Sequence, residues 1–233
     1  MNNKNNRYRK NNNTSTKKSS RTSCKDVFNA FLVSLAVYAG IFEFPVIQPT
    51  NWIPNRLISF SKAISCKDCD RWVHFYEFDY LFERIWRNPR RYLGILKRYN
   101  GVILPDFSVY RDMPFVMQLW NIYRSRAIGF WLQANDISVI ANIRWGDKRT
   151  YRFCCDGVTK GCTIAVGTNG AIGAREDRHI FIEGLSAVVK RLSPKVIIVY
   201  GSAPDDVFGE YREAGIEIVQ FDSETVTAHA EVA

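Results

Sequence analysis

The chain has 233 residues, 46% of them hydrophobic and 14% aromatic, enough for one sizeable core and too apolar for general disorder. Its formal net charge is +9, yet residues 1–23 alone carry seven Lys or Arg (Lys4, Arg7, Arg9, Lys10, Lys17, Lys18, Arg21) and no acid. That leaves only +2 for residues 24–233, which argues against extensive duplex binding by the body of the protein, because phosphate contacts need many cations.

The Asn/Lys/Ser/Thr-rich leader cannot bury enough apolar surface to offset ordering entropy, so residues 1–23 read as a disordered basic tail. Its charge favours weak, salt-sensitive contact with nucleic acid; a solubilising leader without a dedicated partner is the equal alternative. Next comes Val27 to Phe44, whose apolar core from Ala30 to Phe42 is 13 residues long. A membrane span needs roughly 20. Asp26 and Asn29 sit badly for a secretory signal, and a clear A-x-A cleavage site is missing. The segment reads as a buried core helix, with no membrane contact and a cytoplasmic setting.

A rhythm of short strands and helices follows. Phe44 to Ile47 reads as a strand ending near Asn51, Asn55 to Ala63 as a short helix, and Trp72 to Tyr76 as a strand ending in Glu77-Phe78-Asp79. Tyr80 to Tyr99 reads as a helix with a kink at Pro89. Gly101 to Asp147 is the most informative stretch: strand Val102–Leu104, helix from about Met113 to Asn135, strand Ser138–Ile143, the pattern of a parallel crossover unit. Asp112 can cap the helix and Pro114 suits its first turn. Val116, Leu119, Trp120, Tyr123, Ala127, Phe130 and Trp131 recur at helical spacing as the core face. Gln118, Asn121, Arg124 and Ser125 form a polar stripe that reads as solvated; the sharper alternative has Gln118 and Asn121 leaning toward the strand ends.

Downstream, Thr163–Val166, Lys195–Tyr200 and Ile216–Phe221 read as strands, with a helix from about Asp177 to Leu192 and another through Tyr211 between them. Residues 24–222 therefore form one α/β domain with seven strand candidates, and 223–233 read as a frayed C-terminus. The expected architecture is a small or incomplete TIM-like (βα) barrel; an open doubly wound parallel sheet is the alternative.

The words PDFSVYRDMP, QLWNIYRSRA, VIANIRWGD and CCDGV resemble an uncharacterised family from phages and bacterial mobile elements, catalogued as domain of unknown function 4417. The resemblance runs from about Phe44 to Gly201. It implies a cytoplasmic mobile-element protein and adds weight to strand-end residues, and it supplies no mechanism.

In parallel α/β sheets the carboxyl ends of the strands face the ligand crevice. Asp79, Asp106, Asn142 and Arg144 are the expected catalytic set, with Asn51, Ser108, Gln118, Asn121 and Asp222 as substrate-binding candidates. Asp79 or Asp106 would act as base or bind Mg²⁺ or Mn²⁺ through oxygen, and Arg144 would hold an anionic group. Helix caps and turn braces are the bland alternative for the same residues. Cys66-Lys67-Asp68-Cys69 is a C-x-x-C without a second half of matching spacing, so ordinary reduced thiols are expected rather than zinc, and vicinal Cys154-Cys155 is a poor disulfide. His74, inside an apolar strand, reads as a core histidine. Two functions remain open: an enzyme acting on a small anionic or nucleotide-like substrate, and a non-catalytic accessory protein binding nucleic acid or a host protein. Oligomeric state is not legible.

Overall fold

Side chains alternate between the two faces of a strand, and here both faces are buried. One column (Val73, Val102, Leu104, Val139, Ala141, Ile164, Val166, Ile197, Val199) packs into the main hydrophobic core. The other (Trp72, Ile103, Ile140, Ala165, Val196, Ile198) forms a second, smaller core. The computed structural model describes residues 25–223. The basic tail, Cys24 and residues 224–233 lie outside the described residues, as do the expectations placed on them.

Strands β1 (Tyr38–Ala39) and β2 (Phe44–Pro45) make a small antiparallel hairpin. Then β3 (Leu57–Ser59), β4 (Trp72–His74), β5 (Gly101–Ile103), β6 (Val139–Asn142), β7 (Thr163–Gly167), β8 (Val196–Tyr200) and β9 (Glu217–Phe221) pair in chain order, all parallel. The helices are α1 (Phe60–Ala63), α2 (Asp79–Arg87), α3 (Pro89–Leu96), α4 (Phe115–Gln133), α5 (Lys148–Tyr151), α6 (Arg175–Leu192) and α7 (Asp205–Glu213).

The sheet is strongly curled. Tyr76, two residues past β4, stacks on Tyr200 at the end of β8, with ring centroids 4.7 Å apart and planes 10° from parallel. In a flat sheet those strands would stand about 19 Å apart, four spacings of about 4.8 Å. The result is an α/β half-barrel of seven parallel strands. It stays open: among the described residues β3 and β9 are not paired, so a closed TIM-like barrel is not formed.

Two close approaches explain glycines. Gly101 lies opposite Trp72, and a Cβ there would collide with the indole. In α6, a Cβ on Gly184 would overlap the Trp145 ring, whose strand-end loop packs on that helix. Gly184→Ala should therefore cost about 1–3 kcal/mol by overpacking, despite alanine's better helix propensity. Urea unfolding checks this; an unchanged midpoint would mean that Trp145 moves aside freely.

Several expectations fail for physical reasons. Val27 to Phe44 is not a buried helix: Asn29, Leu35, Gly40 and Glu43 adopt positive φ, which breaks it into a 3-10 turn (Ala30–Val33) and the β1–β2 hairpin. Val27, Phe28, Leu35 and Ile41 stay exposed. Phe44–Ile47 is thus not a strand of the main sheet, and its place in the count is taken by Leu57–Ser59 inside the expected Asn55–Ala63 helix. The kinked helix is two helices, broken at Asn88 with Pro89 in the first turn of α3. Pro114, not Asp112, occupies the cap position of α4, and no side chain caps it.

The first half of α4 is turned the other way from the expected face. Val116 is 70% exposed, while Gln118, Asn121, Arg124 and Ser125 are buried. The rim loop after β5 exposes backbone carbonyls that need donors away from water. The polar stripe supplies them: Ser125 Oγ donates to Pro105 O (2.8 Å), Asn121 Nδ2 to Ser108 O (2.6 Å) and Gln118 Nε2 to Met113 O (2.9 Å). Arg124 lies over the Phe107 ring, 3.8 Å from its centroid, and pairs with Glu83 at 2.7 Å.

Candidate functional site

The concave column changes character along the strands. It is apolar at Trp72, Ile103, Ile140, Ala165 and Ile198; two residues beyond Trp72, Ile140 and Ile198 the same alternation brings His74, Asn142 and Tyr200 onto that face, and then Tyr76. Period two therefore aims these polar groups at one rim.

There they form a chain. The Tyr76 hydroxyl donates to Asn142 Oδ1 (2.9 Å), and Asn142 Nδ2 donates to Asp106 Oδ1 (2.8 Å). The other Asp106 oxygen, Oδ2, faces Arg144 Nη1 at 3.5 Å, a loose ion pair. Arg144 Nε is buried without a hydrogen-bond partner. With both ends of its amide engaged, Asn142 has one orientation, and the phenol must be the donor. Burial first, and then the Asp106 carboxylate, pushes the Tyr76 hydroxyl well above the ordinary tyrosine value. Tyr76 should therefore stay un-ionised through the range in which exposed tyrosines lose their protons. Alkaline difference spectra of wild type and Tyr76→Phe should count the same number of phenolates across that range; one extra in the wild type would contradict the burial.

Two clefts meet at this chain. The smaller, about 350 Å³, is lined by Glu77, Phe78, Asp79, Asp106, Ser108 and Arg144 among others. The larger, about 530 Å³, is bordered by Arg111, Trp145, Gly146 and Phe181, the last from the first turns of α6. Tyr110, Arg144 and Gly167 belong to both. These volumes suit small-molecule pockets.

Of the expected catalytic set, Asp106, Asn142 and Arg144 come together. Asp79 lines the same cleft, but it opens α2 and accepts both the Ser108 N–H (3.1 Å) and the Ser108 hydroxyl (2.8 Å), so it braces the loop. Ser108 is in the cleft wall as that brace's partner. Gln118 and Asn121 hold the loop from beneath, as above. Asn51 is elsewhere: the neighbouring Thr50 carbonyl accepts the N–H of Thr163, the first residue of β7, which puts this segment at the amino ends of the strands. Asp222 lies past the edge strand β9, exposed and accepting from Gln220 Nε2. Glu77 Oε1 accepts the Ser61 N–H at 3.1 Å. Among the described residues no three His, Cys, Asp or Glu side chains converge as a metal cage. A divalent cation would thus need ligands from a substrate, with Asp106 the carboxylate best placed to join them.

Tyr76, Tyr200, Tyr110 and Arg126 escaped the sequence reading. Strand parity could have found the first and second, since Tyr76 is four residues past Trp72 and Tyr200 two past Ile198. Nothing in the pattern announced Arg126. It is 1% exposed, and its guanidinium donates to the carbonyls of Asn142 (3.0 Å), Cys154 (2.8 Å) and Asp156 (3.3 Å). It fixes the backbone from which the Asn142 amide projects. The Cys154 and Cys155 sulfurs beside it are 3.8 Å apart, in thiol–thiol hydrogen-bond contact and not joined as a disulfide. His74 is buried as expected, its Nδ1 accepting the Tyr76 N–H and its ring against Tyr200.

Fold and rim together define an open parallel α/β protein with a polar cleft at the carboxyl ends of its strands. The chain belongs to the family described as domain of unknown function (DUF4417), whose model matches residues 36–222. It is similar to the Gene 1 protein of Mycobacterium phage L5, 34% identical over 167 residues, covering 70% of this chain and 72% of that protein. It is also similar to the Gene 1 protein of Mycobacterium phage D29, 32% identical over 170 residues, covering 70% of this chain and 62% of that one. No solved structure matches it. Among the described residues no helix is long and apolar enough to cross a membrane.

Proposed function

We propose that this phage-family protein is an enzyme acting on a small anionic or nucleotide-like substrate at the carboxyl rim of its half-barrel, an architecture we take as an incomplete TIM-like barrel. The observation that supports this reading is the chain Tyr76–Asn142–Asp106–Arg144 opening onto the two clefts. Asp106 Oδ2 accepts a proton from the substrate, and Arg144 holds the anionic group. Asn142 and Tyr76 are positioning residues that keep Asp106 Oδ1 occupied, so that Oδ2, held only by the loose pair with Arg144, is the base. Asp79 positions the Ser108 loop.

The test is co-purification: protein purified from its producing cells, denatured, and its released small molecules identified by mass spectrometry. An anionic metabolite that is retained by wild type and lost from Arg144→Gln supports the proposal; identical extracts from both count against it.

The basic leader motivates a second reading, a non-catalytic accessory protein that contacts nucleic acid. A salt-dependent gel shift that survives removal of residues 1–23 would favour it for the core; a shift that disappears with them would confine it to the leader.

A further inference from the structure

The smaller cleft has an unusual lining for an anion site. Among the described residues its carboxylates are Glu77, Asp79 and Asp106, and its one cationic side chain is Arg144, at the junction with the larger cleft. Carboxylates accept hydrogen bonds and repel negative charge, so the part of a ligand lying there carries donors, such as hydroxyl or amino groups, and no negative charge. Two largely exposed aromatic rings border the same cleft: Phe78, 72% exposed, from the β4–α2 loop, which stacks one face on Tyr80 (centroids 5.9 Å apart, planes 12° from parallel), and Tyr110, 54% exposed, from the β5–α4 loop. Neither is needed by the core, and aromatic faces of this kind stack on planar rings. At the cleft's inner end Arg144 offers one guanidinium, only loosely paired with Asp106 and with Nε unpartnered. Arg111, the other arginine nearby, is engaged by Glu176 at 2.6 Å.

Resting on the enzyme reading above, we infer that the rim is built for a nucleoside monophosphate unit, with base and ribose in the smaller cleft between Phe78 and Tyr110 and the single phosphoryl group on Arg144. One guanidinium in a cleft that also holds three carboxylates suits one anionic group and disfavours a di- or triphosphate. The unit is either a free nucleotide or the terminal nucleotide of a single strand.

Calorimetric titration of the full chain tests this with adenosine and uridine 5′-monophosphates, their nucleosides, ATP, ribose 5-phosphate, inorganic phosphate and a short 5′-phosphorylated oligonucleotide. A monophosphate should bind at least about ten-fold more tightly than its nucleoside, than ATP and than ribose 5-phosphate, the scale of one stacking or ion-pair contact. Phe78→Ser should weaken monophosphate binding about ten-fold and leave ribose 5-phosphate unchanged. An oligonucleotide that binds more tightly than the monophosphate, with the excess lost in Arg144→Gln, identifies a strand terminus as the source; one whose Arg144-dependent binding is equal or weaker identifies the free nucleotide, tighter binding that Arg144→Gln leaves intact belonging to the basic leader. Ribose 5-phosphate binding as tightly as the nucleotides, abolished by Arg144→Gln and indifferent to Phe78→Ser, overturns the nucleoside assignment and leaves the anion site standing. Failure of every phosphate to bind in an Arg144-dependent way overturns both.

Discussion

Replacing Arg126 with methionine is expected to lower stability by about 3 kcal/mol or more. Methionine fills similar space, so the loss isolates the polar term. Exchanging a buried charge for an apolar group is sometimes neutral, when its partner charge leaves with it. Here the partners are three backbone carbonyls, of Asn142, Cys154 and Asp156, and they stay behind without donors. Burial lowers the guanidinium pKa, with the nearby thiols and Asp156 working against that; arginine nonetheless stays charged. Arg191 is ion-paired with the Asp156 side chain, which limits how far that turn can relax. Urea unfolding at 25 °C gives the answer, and a loss below about 1 kcal/mol would mean that water reaches the carbonyls in place of the guanidinium. Because Asn142 projects from one of the three, ligand binding should weaken even where the variant is folded.

Asp106→Asn should separate binding from chemistry. Asparagine can still accept from Asn142 Nδ2 and nearly preserves the shape, so stability should change by less than about 1 kcal/mol. Its amide, unlike the carboxylate, neither neutralises Arg144 nor takes a proton. An anionic ligand should therefore bind as tightly as to wild type or more so, while turnover of the substrate, once identified, falls by about 10²–10⁴, the usual contribution of a positioned base. Arg144→Gln should show the opposite split, with weaker binding dominating. Equal loss of affinity in both variants would remove Asp106 from the role of base.

The sheet was legible where an apolar run ends in polar or turn residues. Trp72–Tyr76, Ser138–Ile143 and Lys195–Tyr200 announce themselves by apolar runs, and with them the rim that carries Asp106, Asn142 and Arg144. Leu57–Ser59 did not, because three strand residues run straight into α1 with no turn residue between. That error displaced the rim by one unit and carried Asn51 with it. The turned face of α4 was hidden for another reason. Periodicity shows that a helix has two faces, but not which one meets the sheet. The demand that decides it, the carbonyls of Pro105, Ser108 and Met113 seeking donors, exists only once the loop is folded. Asp79 lines the smaller cleft, and its engagement by Ser108, a residue 29 positions away, is invisible in the sequence around it.

The tyrosine pair across the half-barrel has a consequence for dissection of the protein. Tyr76 and Tyr200 lie 124 positions apart in the chain, yet each is a wall against which the other rests. A fragment ending with α6 at Leu192 would retain every charged group of the rim and lose β8. Tyr76 would then face water, and the hydroxyl that orients the Asn142 amide would be free to swing away. Truncation from the C-terminus should thus silence the rim well before it reaches a residue that touches a ligand's charge.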